Sequence, residues 1–130
     1  MSELNDCQTD AQALKGRSGL RRIIDATGYS LAGLKAAYLG EAAFRQLLLL
    51  NLMLIPVVCL LDVSRTERAV MILVALMALI VELLNSAIEA AIDRISMAIH
   101  PLSKQAKDMG SAAQFLALIL IVVVWGVILL

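Results

Sequence analysis

Apolar positions dominate three stretches of the chain, Leu47 to Leu61, Ala69 through Val81 to Ile92, and Ala112 to Leu130. Each approaches the roughly 20 residues that a helix needs to cross a bilayer core. The pattern therefore predicts three membrane helices, at about 41–61, 69–92 and 110–130. The first is drawn back to Glu41 because Leu47 to Leu61 alone would cover only roughly 22 Å at 1.5 Å per residue. Upstream, Leu20, Ile23, Ile24, Leu31, Leu34 and Tyr38 recur at helical spacing among Arg21, Arg22, Asp25 and Lys35. This predicts an amphipathic helix on the membrane surface at about 19–39, broken near Gly28 and restarted with Ser30 as cap. Residues 1–18 have no apolar period and read as a flexible polar tail, leaving 19–130 as a single membrane domain. Pro56 is expected to kink the first span, and Asn51 to donate a hydrogen bond to a neighbouring helix. The turn with His100 and Pro101 leads into Ser103 to Gly110, which is expected to cap and start the third span.

Composition sharpens the class. The 130 residues are 61% hydrophobic and 17% charged, with a mean hydropathy of +0.86. That leaves too little polar surface to coat a water-soluble globule. The fold class is all-α membrane protein, with three transmembrane helices and the surface helix. The formal charge is zero, so the total says nothing about nucleic-acid or anionic partners, and no nucleic-acid partner is expected of such a membrane chain; the placement of charge is informative. Lys15, Arg17, Arg21, Arg22, Lys35 and Arg45 precede the first span, Arg94, Lys104 and Lys107 lie between the second and third, and only Arg65 and Arg68 fall between the first two. The positive-inside rule puts the N-terminus and the second loop in the cytoplasm and the C-terminus outside. No apolar signal core occurs in the first 46 residues, so the polar N-terminus should be retained. Cys7 and Cys59 are expected on opposite sides of the bilayer, which argues against a disulfide within one chain.

One feature breaks the aliphatic pattern. The inner half of the second span carries Glu82, Asn85 and Glu89 within about 60° of helical arc, with Asp93 extending the row. An acid inside a membrane helix costs about 2.5–3.5 kcal/mol on insertion scales and is by default a functional candidate. Glu41, Arg94, Lys107 and Asp108 should lie near the depth of Glu89. The stripe can be read as hydrogen-bonding glue between helices, but this convergence favours metal-assisted transfer at the membrane surface. Magnesium takes one or two carboxylates plus phosphate oxygens, so Glu41 and Glu89 could hold an ion that a nucleotide completes. Glu82, set deeper, is suited to accept a proton from an alcohol. Lys107 and Arg22 could offset charge on a transferred phosphoryl group. No Walker-type loop, zinc ligand set or nucleophile elbow is present.

The stretches Ala42 to Gln46, Glu82 to Ala90 with Asp93 and Arg94, and Ala106 to Ala113 closely resemble the bacterial integral-membrane diacylglycerol kinases, in order and in spacing. The resemblance runs from about Arg22 to Leu130. It implies a homotrimer in the bacterial inner membrane, with active sites shared between subunits at the cytoplasmic interface. It further implies transfer of the ATP γ-phosphoryl group to diacylglycerol, with Mg2+ as cofactor. Carried over by motif, Glu82 is the general base, and Glu41 and Glu89 are the metal ligands. Lys107, Asp108 and His100 contact ATP together with Glu41 and Glu89, and Arg22 and Tyr29 stand at the nucleotide and lipid head group. Ser111 lies by the lipid, and Ala26, Ser30, Lys35, Tyr38, Ala43, Phe44, Arg45, Gln46 and Trp125 resemble lipid-contact positions. Asn85 and Asp93 organise the acidic row.

Three residues depart from the family pattern. Leu47 stands where an acidic residue is common, Gly40 where a polar one is, and Tyr38 where a tryptophan is. All three fall on lipid-facing ground and leave the metal, base and phosphate positions intact. A branch of the same fold phosphorylates undecaprenol, which is the alternative acceptor. An alternative of another class is a non-enzymatic helical assembly or pore lined by the acidic stripe.

Overall fold

The computed structural model describes residues 19–130; the assignment of a tail to 1–18 lies outside them. The described residues form four helices and no strand: α1 (Gly19–Gly40), α2 (Ala42–Leu60), α3 (Arg65–Ile95) and α4 (Pro101–Leu129). The last three are long and apolar enough to cross a membrane. The chain divides into two units, 1–36 and 37–130.

In the first unit, the sequence reading of a break near Gly28 does not hold. Helix α1 runs through it without interruption. The Ser30 hydroxyl donates to the Ala26 carbonyl at 2.9 Å, as Thr27 does to Ile23, so Ser30 closes a bond within the helix instead of capping a new one. Gly28 lowers helix propensity but imposes no stop by itself.

In the second unit, α3 packs against both α2 and α4. Its buried residues Met71, Val74, Ala75, Ala78 and Glu82 recur at three- and four-residue steps and make a single stripe. The facing stripes are Phe44, Leu47, Asn51 and Val58 on α2, and Gly110, Ala117 and Ile121 on α4. Leu47, Val74, Ala78, Ala117 and Ile121 form the core, with Leu50, Leu54 and Val124 packed against it. Small residues on α3 and α4 let the backbones approach closely, which is how helices gain packing energy in lipid.

The α2–α3 turn is locked from the α3 side. Ser64 and Glu67 form a capping box, with Ser64 N–H donating to Glu67 at 2.8 Å and Glu67 N–H to the Ser64 hydroxyl at 3.2 Å. Arg68 then reaches back, its Nε donating to the Val58 carbonyl at 3.2 Å and its Nη2 to Leu61 at 3.0 Å. The Val58 carbonyl is one that the end of α2 leaves without a helical partner, while Leu61 also accepts from Val63 N–H at 3.0 Å. Consequently α3 begins at Arg65, ahead of its apolar run.

Two further sequence readings are corrected. Asn51 is buried, but its Nδ2 donates to Leu47 within its own helix at 3.0 Å, and its Oδ1 has no partner among the described residues. A carbonyl four residues back is always within reach of a helical amide, so no second helix was needed. Helix α4 starts at Pro101, with His100 as its cap, and not between Ser103 and Gly110. Proline suits the first helical position because the N–H it lacks would have been unpaired there.

At 1.5 Å per residue, the 31 residues of α3 extend about 46 Å, well beyond a hydrocarbon core of about 30 Å.

Candidate active site

Glu41 is the single extended residue between α1 and α2, with φ −117° and ψ 110°. Its backbone carbonyl accepts from Arg45 N–H at 3.3 Å, while its carboxylate makes no capping bond and is left for other use. Arg45 fixes this corner, its Nη1 donating to the Tyr38 carbonyl at 2.8 Å and to Leu39 at 3.3 Å. Phe44 is buried beside the corner, whereas Ala43 and Gln46 are exposed.

Glu82 is the one carboxylate buried within the described chain, at 5% exposure. Glu41 and Glu89 lie near enough for their charges to repel it. Two of the carboxylates that the sequence singled out thus come from α3 and the third, Glu41, from the extended corner before α2, and both Glu41 and Glu89 act on Glu82. Asn85 lies between Glu82 and Glu89 along α3 and donates to the Glu89 Oε1 at 3.4 Å. Its own Oδ1 is buried without a partner, against the backbone of α4. A Cβ placed on Gly110 would collide with that oxygen, so glycine there is what allows α4 to close over Asn85.

At the outer end of the row, Lys107 Nζ meets the Asp93 Oδ1 at 2.6 Å, pairing α4 with α3, and Lys104 pairs with Asp108 at 2.6 Å. Lys107 also feels the Glu89 charge. Asp93, His100, Lys107 and Asp108 line a hollow of about 280 Å³ between the end of α3 and the start of α4. His100 has a structural duty as well, since its Nδ1 accepts from Leu102 N–H at 3.1 Å and caps α4. Ser111 is exposed on α4, one residue from Gly110.

In the other unit, Arg22 and Ala26 flank a shallow hollow with Gly19 and Ile23. Tyr29, Ser30 and Lys35 are exposed along α1. Trp125 sits at the opposite end of the α3–α4 seam, where its Nε1 donates to the Met71 carbonyl at 3.3 Å. Met71 precedes Glu82 by three turns, about 16 Å of helix.

Sequence reasoning missed Gly110 as a packing residue, Arg68 as the clamp on α2, and Gln114. The side-chain nitrogen and oxygen of Gln114 are both buried and unpaired. A polar residue inside the most aliphatic of the three spans was the signal available.

Comparison with known proteins bears on the whole arrangement. The profile of the prokaryotic diacylglycerol kinase family matches residues 28–129. The chain is 72% identical over 116 residues to a diacylglycerol kinase of Pseudomonas aeruginosa, covering 89% of this chain and 94% of that protein. It is 48% identical over 112 residues to a diacylglycerol kinase of Escherichia coli strain K12, covering 86% and 92%. A diacylglycerol kinase of Haemophilus influenzae is 46% identical over 112 residues, covering 86% and 95%.

Proposed function

The chain belongs to the prokaryotic diacylglycerol kinase family, and on that premise we propose that it transfers the γ-phosphoryl group of ATP to diacylglycerol, giving phosphatidic acid, at the cytoplasmic face of the bacterial inner membrane. The observation that carries this reading is that Glu82, the one buried carboxylate among the described residues, lies within range of the charges of both Glu41 and Glu89. Three repelling carboxylates call for a cation and for a proton, and the reaction brings both.

Glu82 is the general base. It takes the proton of the acceptor hydroxyl as that oxygen attacks the γ-phosphorus, and the bond to the β-phosphate oxygen breaks to release ADP. A base on the apolar span suits a hydroxyl that arrives with its acyl chains in the bilayer, and the charged hollow bordered by His100, Lys107 and Asp108 is the part of the chain suited to the phosphates of ATP. Lys107 offsets charge on the phosphates from the position that Asp93 gives it.

The metal reading fits the donor set. No group of three or more His, Cys, Asp or Glu side chains forms a ready cage among the described residues. Magnesium commonly binds through one or two carboxylates, the rest of its shell being phosphate and water. Glu41 and Glu89 are the two carboxylates that would hold it alongside ATP. When bound, the ion neutralises phosphate charge. Arg22, Tyr29 and the lipid-contact positions of α1 act at the head group, with the apolar residues of α1 seated in the membrane interface. The working form is a homotrimer, which supplies neighbours for the apolar faces that α2 and α4 leave open.

The test is transfer of label from γ-labelled ATP to diacylglycerol or undecaprenol in mixed micelles, with and without magnesium. Labelled phosphatidic acid is expected, and it should vanish with Glu82→Gln. Label on undecaprenol alone would reassign the acceptor.

A further inference from the structure

Gln114 lies on the same stripe of α4 as the buried residues Gly110, Ala117 and Ile121. The register of the antiparallel α3–α4 pair is fixed at three points: Gly110 abuts Asn85, Ala117 joins Ala78 in the core, and Trp125 bonds to Met71. Counting between them puts Gln114 opposite Val81 and Glu82. Glu82 is on the buried stripe of α3 at that level. The only other buried polar side chain among the described residues, Asn51, belongs to α2, where its Nδ2 is bonded to Leu47 and its Oδ1 is unpaired. Asn85, the nearest amide along α3, gives its Nδ2 to Glu89 and keeps a buried, unpaired Oδ1 beside Gly110, but that oxygen is a neutral acceptor whereas Glu82 is the one buried carboxylate among the described residues.

Two incomplete groups therefore share one depth. The Gln114 amide has a donor and an acceptor that are shielded from water and unpaired. The Glu82 carboxylate is cut off from water by burial and also feels the charges of Glu41 and Glu89. Leaving a buried amide unpaired is costly, and a bond from its N–H to an ionised carboxylate is among the stronger ones available to it. We propose that Gln114 is a positioning residue whose side-chain amide donates to the Glu82 carboxylate across the α3–α4 seam and holds it toward the acceptor hydroxyl. The amide oxygen then remains available to the acceptor. This rests on the reading of Glu82 as the base.

The test uses the full-length protein with Gln114→Leu, Gln114→Asn and Glu82→Gln. Infrared spectra assign the Glu82 carboxylate band by its loss in Glu82→Gln. Gln114→Leu, which keeps side-chain volume and helix propensity, should shift that band and lower kcat by at least about tenfold, with KM for ATP unchanged. Gln114→Asn should restore part of both. An unshifted band in Gln114→Leu overturns the proposal whatever the activity, because the amide then has its partner elsewhere, in lipid or a second copy. A shifted band together with full turnover in Glu82→Gln would keep the hydrogen bond but remove the base. Equal loss of kcat in both Gln114 variants with no band shift would mark Gln114 as packing alone.

Discussion

Asn85 shows how much a single side chain can couple. Its nitrogen serves Glu89 while its oxygen meets the glycine of α4, so one amide sets both the carboxylate and the helix spacing. Gly110→Ala should therefore push α4 outward at the acidic row. Overpacking of this kind typically costs about 1–3 kcal/mol, and thermal unfolding in detergent should show it together with reduced transfer. Glu82→Gln should behave differently, losing about 10²–10⁴ in rate while unfolding at an unchanged or higher temperature, since it removes a repelled charge. The three carboxylates were legible in the sequence because an acid in an aliphatic helix is conspicuous. The partners that build the site were not. Gly110 looked like any membrane-helix glycine, and Asn51 looked like a donor to another helix until the geometry showed its own backbone nearer.

Helix ends account for most of what differs between the sequence reading and the structure. Hydropathy locates the apolar part of a span, but caps decide where the helix begins. Ser64 with Glu67, and His100 with Pro101, start α3 and α4 before their apolar runs. Gly28 misled in the other direction, because a glycine permits a break without requiring one. The role of Arg68 gives a test at this scale. Arg68→Ala leaves the Val58 carbonyl at the end of α2 without its donor, while Leu61 keeps the bond from Val63 N–H, and hydrogen bonds from a charged donor are worth about 1.5–3 kcal/mol, so a fall in thermal stability of that order is expected with KM values intact. By contrast, Asp93→Asn breaks a half-exposed ion pair. Stability should barely respond, whereas KM for ATP should rise as Lys107 loses its hold.

For the whole molecule, the predictions concern ion and membrane. Glu41→Gln and Glu89→Gln should each move the magnesium titration of activity to higher concentration, read from initial rates at fixed ATP. The expected orientation has a direct check. In a Cys7→Ala, Cys59→Ala background, Ser103→Cys should react with an impermeant maleimide in inverted vesicles and stay protected in intact spheroplasts.

The bond between Trp125 and the Met71 carbonyl has a practical side. The chain has a single tryptophan, and its indole is held at the end of the α3–α4 seam remote from the acidic row. All tryptophan emission therefore comes from one place, whose polarity changes when the two helices part. The protein thus carries its own optical gauge of that seam. Gly110→Ala should shift the emission only if the displacement at the acidic row is transmitted along α4 to its far end, so a fluorimeter can tell a rigid hairpin from one that yields locally.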